Sequence, residues 1–236
     1  MARKTIMQRL AKWHIWLGWL VGVPLVLWTL SGLVMALKPI EETRGEALRA
    51  SPPLLREFGV DLVMPRVAPH DVISGMHLVQ QADGPVWIVE TEGGGTYRYS
   101  ARDGSLVPPL IESEARAIAV ASWGGDAALD SVTYLPADMS PPDLRARIDT
   151  WQAHFADGTN LYIRADSGEV LALRTGWWRF YDVMWGLHIM DLETREDTSH
   201  PILILFAALA LAGSLLGCAL LFRRRKARVS GGVKAS

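Results

Sequence analysis

Residues 13–37 read WHIWLGWLVGVPLVLWTLSGLVMAL, and residues 201–222 read PILILFAALALAGSLLGCALLF. Neither stretch contains Asp, Glu, Lys or Arg. At about 1.5 Å of rise per residue they would form helices of about 38 and 33 Å, longer than the roughly 30 Å hydrocarbon core of a bilayer. The sequence therefore predicts two transmembrane helices that flank a large polar segment.

Basic residues lie at the outer ends of both apolar stretches. Residues 1–12 hold four Lys or Arg and residues 223–236 hold six, with no Asp or Glu, so these two tails carry +10. All 25 acidic residues fall in residues 38–200, together with 14 of the 24 basic ones, which gives this segment a charge of −11. Because basic residues beside membrane segments stay in the cytoplasm, we expect both termini inside and the acidic segment outside.

A cleavable signal peptide is the alternative reading of the N-terminus. The apolar stretch is longer than the usual core of roughly 7–15 residues, and no A-x-A pattern occurs near Met35. We therefore expect the first helix to be retained. The single cysteine, Cys218, lies in the second stretch, so the segment between the helices has no thiol for a disulfide or a metal.

The segment between the helices is typical of an α+β domain. Residues 38–69 read as a connector with a short helix over 41–50, and residues 111–122 read as a helix ended by Gly124-Gly125. Turn signals such as Asp-Gly separate short apolar runs, which predict strands. These strands are 86–91, 95–100, 105–107, 130–135, 150–155, 160–165 and 169–174.

The predicted strands repeat at an offset of 64 residues. The matching residues are Trp87 with Trp151, Gly94 with Gly158, Ala101 with Ala165 and Gly104 with Gly168. We interpret the segment as two helix-plus-antiparallel-sheet units, a β-unit at 70–110 and an α+β unit at 111–175. A chance likeness between two ordinary hairpins is the alternative.

Three short stretches resemble a known family. Residues 155–175, FADGTNLYIRADSGEVLALRT, resemble the end of a PepSY domain. Residues 13–19, WHIWLGW, continuing to Ser31-Gly32, are similar to the first helix of PepSY-associated transmembrane proteins, and residues 185–191, WGLHIMD, resemble their segment entering a later helix. The resemblance implies a bacterial inner-membrane protein, multi-pass, with PepSY-like units in the periplasm.

The resemblance also implies a range of functions. Some larger PepSY proteins are linked to ferric-siderophore reduction and haem binding, and others carry the domain as a binding or inhibitory module near proteases. This chain has two predicted spans where the reductase-like members have more, which argues against a complete transmembrane electron path. We expect a non-catalytic binding or accessory subunit in iron or ferric-siderophore handling. The alternatives are a haem-carrying electron-transfer protein, which would be an enzyme of the siderophore-reductase type, and a regulator that binds a periplasmic peptide or protease.

Three histidines are candidate haem ligands: His14, His188 and His200. His14 and His188 would lie about a membrane thickness apart, so one chain cannot hold one haem with that pair. Two copies of His14 across a dimer, or His188 with His200, remain open. The alternative for His14 is an interfacial residue of an aromatic belt. The functional reading of His188 includes Asp191, three residues further on, which is placed to orient the imidazole or raise its pKa. The alternative for His188 is a membrane-surface anchor, the aromatic helix at 177–191, with an incidental His–Asp pair.

Other sequence features concern partners. Gly18-x-x-x-Gly22 and Gly213-x-x-x-Gly217 predict close helix packing, either of the two spans with each other or with a homodimer partner or another membrane subunit. The basic C-terminal tail is expected on anionic lipid headgroups, and the acidic charge of residues 38–200 disfavours nucleic acid. His70, His77 and His154 have no metal-ligand spacing, and the sequence contains no hydrolase, Walker or Rossmann motif.

Overall fold

The computed structural model describes residues 2–51, 61–68, 70–81 and 83–232, with side chains from residue 6 to residue 222. It divides into a helical unit, Met1–Lys38 with Phe180–Ser236, and a sheet unit, Pro39–Arg179. The helices are α1 (Ala2–Ala36), α2 (Ile40–Thr43), α3 (Glu112–Ser122), α4 (Gly176–Ile189) and α5 (Pro201–Gly232).

The helical unit contains the two helices that are long and apolar enough to cross a membrane, within Ile6–Ala36 and Pro201–Phe222. Their apolar side chains point outward to an unusual extent: Trp19 is 82% exposed and Leu215 is 62% exposed. Both helices also continue through the basic segments that the sequence reading treated as tails. His14, early in α1, contacts Gly217, late in the apolar part of α5, so the two helices pack antiparallel.

The sheet unit contains two four-stranded antiparallel sheets, which we call sheet 1 and sheet 2. Sheet 1 has the order β1-β2-β3-β4, and its strands are Ile73–Gln81, Gly84–Thr91, Thr96–Ser100 and Leu106–Val107. Sheet 2 has the order β5-β6-β7-β8, and its strands are Leu129–Leu135, Thr150–Phe155, Asn160–Arg164 and Val170–Arg174. The α+β class is confirmed. Seven strands fall within two residues of their predicted positions, whereas β1 was not predicted.

The two sheets repeat the same hydrogen-bond register. In sheet 1, Trp87 pairs with Tyr99 and Glu90 pairs with Thr96, and in sheet 2 every β6–β7 pair lies 64 residues further along the chain. The first strand of each sheet also has an irregularity at the same place, between Ile73 and Gly75 and between Leu129 and Ser131. The offset predicted from sequence is therefore a structural repeat and not a chance likeness of two hairpins.

The repeated tryptophans explain part of this likeness. Trp87 donates its indole N–H to the carbonyl of Val63 at 3.0 Å, and Trp151 donates to the carbonyl of Leu110 at 3.1 Å. The backbone N–H groups of Val63 and Leu110 in turn donate to Ala101 and Ala165, again 64 residues apart. Each tryptophan thus forms a hydrogen bond with the segment that comes before its own sheet in the chain.

The units differ in their helix. The α3 side chains Ala115 and Ala119 are fully buried against sheet 2, in a core that includes Phe155, Leu161 and Ile163. Within residues 61–68 and 70–72, no helix precedes sheet 1 in the way that α3 precedes sheet 2. The predicted connector helix at 41–50 is also shorter, because Gly45 has a φ of 70° and ends α2 before a 3-10 turn at Glu46–Leu48. Residues 52–60 and 69 of the predicted connector lie outside the described residues.

The outer face of sheet 2 has a polar centre. Tyr162 is fully buried and donates its hydroxyl to Asp143 Oδ1 at 2.7 Å, while Gln152 donates to the same hydroxyl at 2.8 Å. Burial, followed by the hydrogen bond to Asp143, raises the pKa of Tyr162 to about 12. Asp143 also pairs with Arg179 at 3.3 Å, at the end of the sheet unit.

The repeat predicts equal effects of substitution at its two hairpin glycines. Gly94 and Gly158 have φ values of 82° and 81°, and an added Cβ meets no atom within 4 Å at either. Alanine at each position should therefore cost only the left-handed backbone penalty, about 1 kcal/mol, and lower the melting temperature by about 4 °C. Thermal unfolding of the purified chain, followed by tryptophan fluorescence, measures this. Gly176→Ala, in open space at the start of α4, should cause no loss. A loss at only one hairpin would contradict the equivalence.

Candidate functional site

Helix α3 lies between the two sheets. Its alanines pack on sheet 2. Its opposite side faces sheet 1, on the sheet face opposite to the one that carries the Trp87 side chain. Arg98 lies at the centre of the space between α3 and sheet 1, which we call the interlayer, and it is 2% exposed. Arg98 Nη1 donates to Gln81 Oε1 at 2.9 Å, its Nη2 donates to the Pro108 carbonyl, and Glu114 of α3 lies 3.6 Å from Nη2. A buried cation is thus neutralised and hydrogen-bonded, as its desolvation requires.

The interlayer is not filled. A cavity of about 530 Å³ lies between sheet 1, α3 and the β7–β8 turn, and a second cavity of about 170 Å³ lies beside Arg98. Gln81 and Ile118 line both, so we treat the two cavities as one interlayer cleft. Its size falls within the roughly 300–1,000 Å³ typical of small-molecule sites. The α3 residues on its wall include Ala117 and Ala121, whose short side chains leave the space open.

Polar groups are placed along the cleft. Gln81 is fixed at both ends of its amide, because its Nε2 also donates to the Ser167 carbonyl at 2.8 Å. The neighbouring Gln80 has a buried Oε1 that accepts no hydrogen bond within the described part of the chain. Arg49, His77 and Glu169 also line the cleft. The cleft therefore combines apolar walls with a few convergent polar groups, the usual composition of a ligand site.

In the helical unit, His188 is held by α1. Its ring stacks on Trp28 with centroids 4.9 Å apart and planes inclined by 12°. His188 Nδ1 lies 3.1 Å from the Trp28 carbonyl and 3.2 Å from Ser31 Oγ, and Ser31 is 1% exposed. An added Cβ on Gly32 would come within 3.1 Å of His188 Cε1, so this glycine makes room for the ring.

These contacts determine the tautomer of a neutral His188. A carbonyl oxygen only accepts, so Nδ1 must carry the hydrogen that lies between it and Trp28. The Ser31 hydroxyl donates its own hydrogen to the same carbonyl at 2.9 Å, which leaves its oxygen free to accept from Nδ1. The lone pair is consequently on Nε2, which has no hydrogen-bond partner in residues 6–51, 61–68, 70–81 and 83–222. Metal-binding histidines commonly have this arrangement, with Nδ1–H donated to a carbonyl.

The other candidate histidines lie apart from His188. His14 Nε2 is 2.8 Å from the position of an added Cβ at Gly217, so His14 packs on the backbone of α5. Eighteen residues of α1 separate His14 from Gly32, a rise of about 27 Å, which agrees with the separation expected between His14 and His188. His200, at the start of α5, has a buried Nδ1 without a partner among the described residues. The hydrogen bonds and the ring stack that the described residues give to His188 involve Trp28 and Ser31.

The reading in which Asp191 orients His188 is wrong, because the Asp191 carboxylate has other partners. The Asp191 carboxylate instead accepts hydrogen bonds from the Thr194 hydroxyl and from the backbone N–H groups of the following loop. The other backbone donors are Glu193, Glu196 and Asp197. The Thr194 hydroxyl, followed by these N–H groups, lowers the pKa of Asp191 well below its ordinary value. Asp191 thus organises the loop before α5 rather than the imidazole.

The glycines of the two G-x-x-x-G motifs do not all lie at close helix contacts. Gly217 contacts His14, as predicted for packing of the two long helices on each other. An added Cβ on Gly18, Gly22 or Gly213 meets no atom within 4 Å, so these three positions are not at a close contact within the chain. The sequence reading gave no role to Trp28 or Arg98, which no motif marked, and it named Ser31 only as part of the stretch that resembles the first PepSY-associated helix.

The comparisons with known proteins add no assignment. No model of a known family matches the chain, and no curated protein and no solved structure matches it. Within the described residues, no group of three or more His, Cys, Asp or Glu side chains is placed to hold a metal ion. The interlayer cleft and His188 are therefore the two sites from which a function can be argued.

Proposed function

We propose that this chain is a bacterial inner-membrane protein that crosses the membrane twice, presents the sheet unit to the periplasm and acts as a non-catalytic binding subunit for ferric siderophores. The observation that carries the proposal is the interlayer cleft, an open site of ligand size with polar groups at fixed positions. The connection with iron rests on the resemblance of residues 13–19, 155–175 and 185–191 to PepSY proteins.

The two long helices and the charge distribution support the membrane arrangement. Each helix has the length and apolar composition to cross a bilayer, and its outward-facing apolar side chains need a lipid environment. The basic residues lie in the two terminal segments, and residues 38–200 carry −11. Cytoplasmic retention of basic residues then sends the sheet unit outward.

This topology predicts the labelling of an introduced cysteine. Glu92 is exposed in the β2–β3 turn, and Cys218 is the only native thiol. A Glu92→Cys, Cys218→Ser chain in intact spheroplasts should react fully with a membrane-impermeant maleimide. A matched cysteine at Ser236 should react only after lysis. The reverse pattern would contradict the orientation.

The charge of the exported segment restricts the siderophore class. A net charge of −11 over residues 38–200 repels anionic complexes at long range and attracts cationic ones. Neutral and cationic ferric hydroxamates are therefore better suited than ferric catecholates, which carry several negative charges. Gln80 lines the cleft, and its buried Oε1 has no hydrogen-bond partner among the described residues.

Filling the cleft should weaken siderophore binding. Ala121 lines the cleft, and the adjacent exposed Val120 does not. We expect purified protein to bind ferrioxamine B, measured by quenching of tryptophan fluorescence, and Ala121→Trp to weaken this binding at least tenfold. Val120→Trp serves as the control of equal size and should bind as the native chain does. Binding of a ferric tricatecholate with equal affinity, or equal effects of the two tryptophans, would contradict the assignment to this cleft.

His188 supports a second candidate function, a haem-carrying electron-transfer protein. Its Nδ1–H is oriented by Trp28 and Ser31, and its Nε2 lone pair is left for a ligand. In this case the purified protein should show a Soret absorbance band that His188→Ala removes and His14→Ala leaves unchanged. A colourless preparation from haem-supplied cells would exclude this candidate and leave the siderophore proposal untouched.

A further inference from the structure

We propose that the interlayer cleft selects ferric hydroxamates that carry a free primary ammonium group, with the ammonium on Glu169 and the iron-bound hydroxamate oxygens facing Arg49. This preference rests on the proposed siderophore function and names the class of complex that the same site takes. It follows from the charges on the wall of the larger cavity of the cleft, of about 530 Å³. Among the described residues that line this cavity, Arg49 and Glu169 are the only Arg, Lys, Asp or Glu residues.

Glu169 is held at the cleft by the tight turn between β7 and β8. Its backbone carbonyl accepts a hydrogen bond from the N–H of Arg164 at 2.8 Å. The neighbouring Gly168 packs so closely that an added Cβ would come within 2.9 Å of Gln81 Nε2 and 3.1 Å of Ile118 Cδ1. The backbone that carries Glu169 is therefore fixed against both walls of the cleft, sheet 1 and α3.

The same turn has an excess of negative charge. Arg164 lies 3.9 Å from Glu169 Oε2 and 3.9 Å from Asp166 Oδ2, so one guanidinium faces two carboxylates. The distance from Arg164 to Glu169 is longer than a hydrogen bond, and the Glu169 side chain is 58% exposed. The Glu169 carboxylate can therefore accept hydrogen bonds from a second cation, and a primary ammonium has three N–H groups to donate.

Arg49 is the positive group of the same wall. The N–H of Ala50 donates to the Ser122 carbonyl at 2.9 Å, which joins this segment to the last turn of α3. None of the ion pairs or side-chain hydrogen bonds of the described residues uses the Arg49 guanidinium. A guanidinium in a largely apolar wall favours a ligand that supplies acceptors, and the N–O⁻ oxygens of a hydroxamate are strong acceptors.

A linear ferric hydroxamate with a terminal amine matches this wall in three respects. Its iron-bound oxygens suit Arg49, its ammonium suits Glu169, and its methylene chains suit the apolar residues of the wall, such as Val79 and Ala121. A cyclic or N-acylated hydroxamate has the oxygens and the chains but leaves Glu169 without a ligand cation. A complex with a carboxylate at that end would place two negative groups together, which disfavours it.

Fluorescence quenching of the purified full chain by ferrioxamine B and by N-acetyl ferrioxamine B tests the proposal. The two complexes have the same iron centre, and acetylation removes the ammonium. We expect the native chain to bind ferrioxamine B about fivefold more tightly at low salt, the upper range for an ion pair with an exposed partner. The preference should fall below about twofold in roughly 1 M salt. Glu169→Gln should bind the two complexes equally.

Asp166→Asn is the matched control, because Asp166 is as far from Arg164 as Glu169 is but does not line the cavity. This variant should keep the preference. Arg49→Gln should weaken the binding of both complexes by the same factor, since both have the hydroxamate oxygens. Equal binding of the two complexes by the native chain, or equal effects of Glu169→Gln and Asp166→Asn, would overturn this inference and leave the siderophore function standing. Failure of both complexes to bind would overturn both.

Discussion

One short helix, α3, supplies the layer between both sheets, and the arrangement of the sheet unit depends on it. Its buried alanines allow the close approach of sheet 2, and Glu114 on its other side balances the buried charge of Arg98 in sheet 1. Glu114 is itself 30% exposed, so solvent partly screens its interaction with the buried Arg98. The same alanine-rich composition explains the cleft, because Ala117 and Ala121 do not reach sheet 1. The small side chains of α3 therefore account both for its close packing on sheet 2 and for the open cleft on the side that faces sheet 1.

The repeated strands could be predicted from sequence because their turns are encoded locally. Asp-Gly pairs and alternating apolar residues mark β2–β4 and β6–β8, and glycines with positive φ occupy the expected turns. Strand β1 escaped prediction because ISGMHLVQQ has neither regular alternation nor a strong turn signal on its N-terminal side. The difference between the segments that lead into the two sheets, as far as residues 61–68 and 70–72 show it, could not be foreseen either. A structural repeat in the strands does not require the connection between them to be the same, and only the second connection contains α3.

The candidate sites were predicted less completely, since their partners are distant in the chain. His188 stood out as an ionisable residue beside an apolar stretch, but Ser31, which helps to fix its tautomer, is 157 residues away. Asp191 was expected to pair with His188 because it is close in sequence, yet the backbone N–H groups of its own loop are closer competitors. No sequence motif marked Arg98, whose burial involves Glu114 of α3, a residue that follows it by 16 positions in the chain.

The helix pair has a further property that follows from its two histidine–glycine contacts. His14 contacts Gly217 in one half of the pair, and His188 contacts Gly32 in the other. Between these two contacts, an apolar hollow is lined by residues such as Val21, Pro24 and Phe206. Because Pro24 has no backbone N–H, α1 lacks one backbone hydrogen bond in this stretch, and this is where the helix can bend while both contacts are kept.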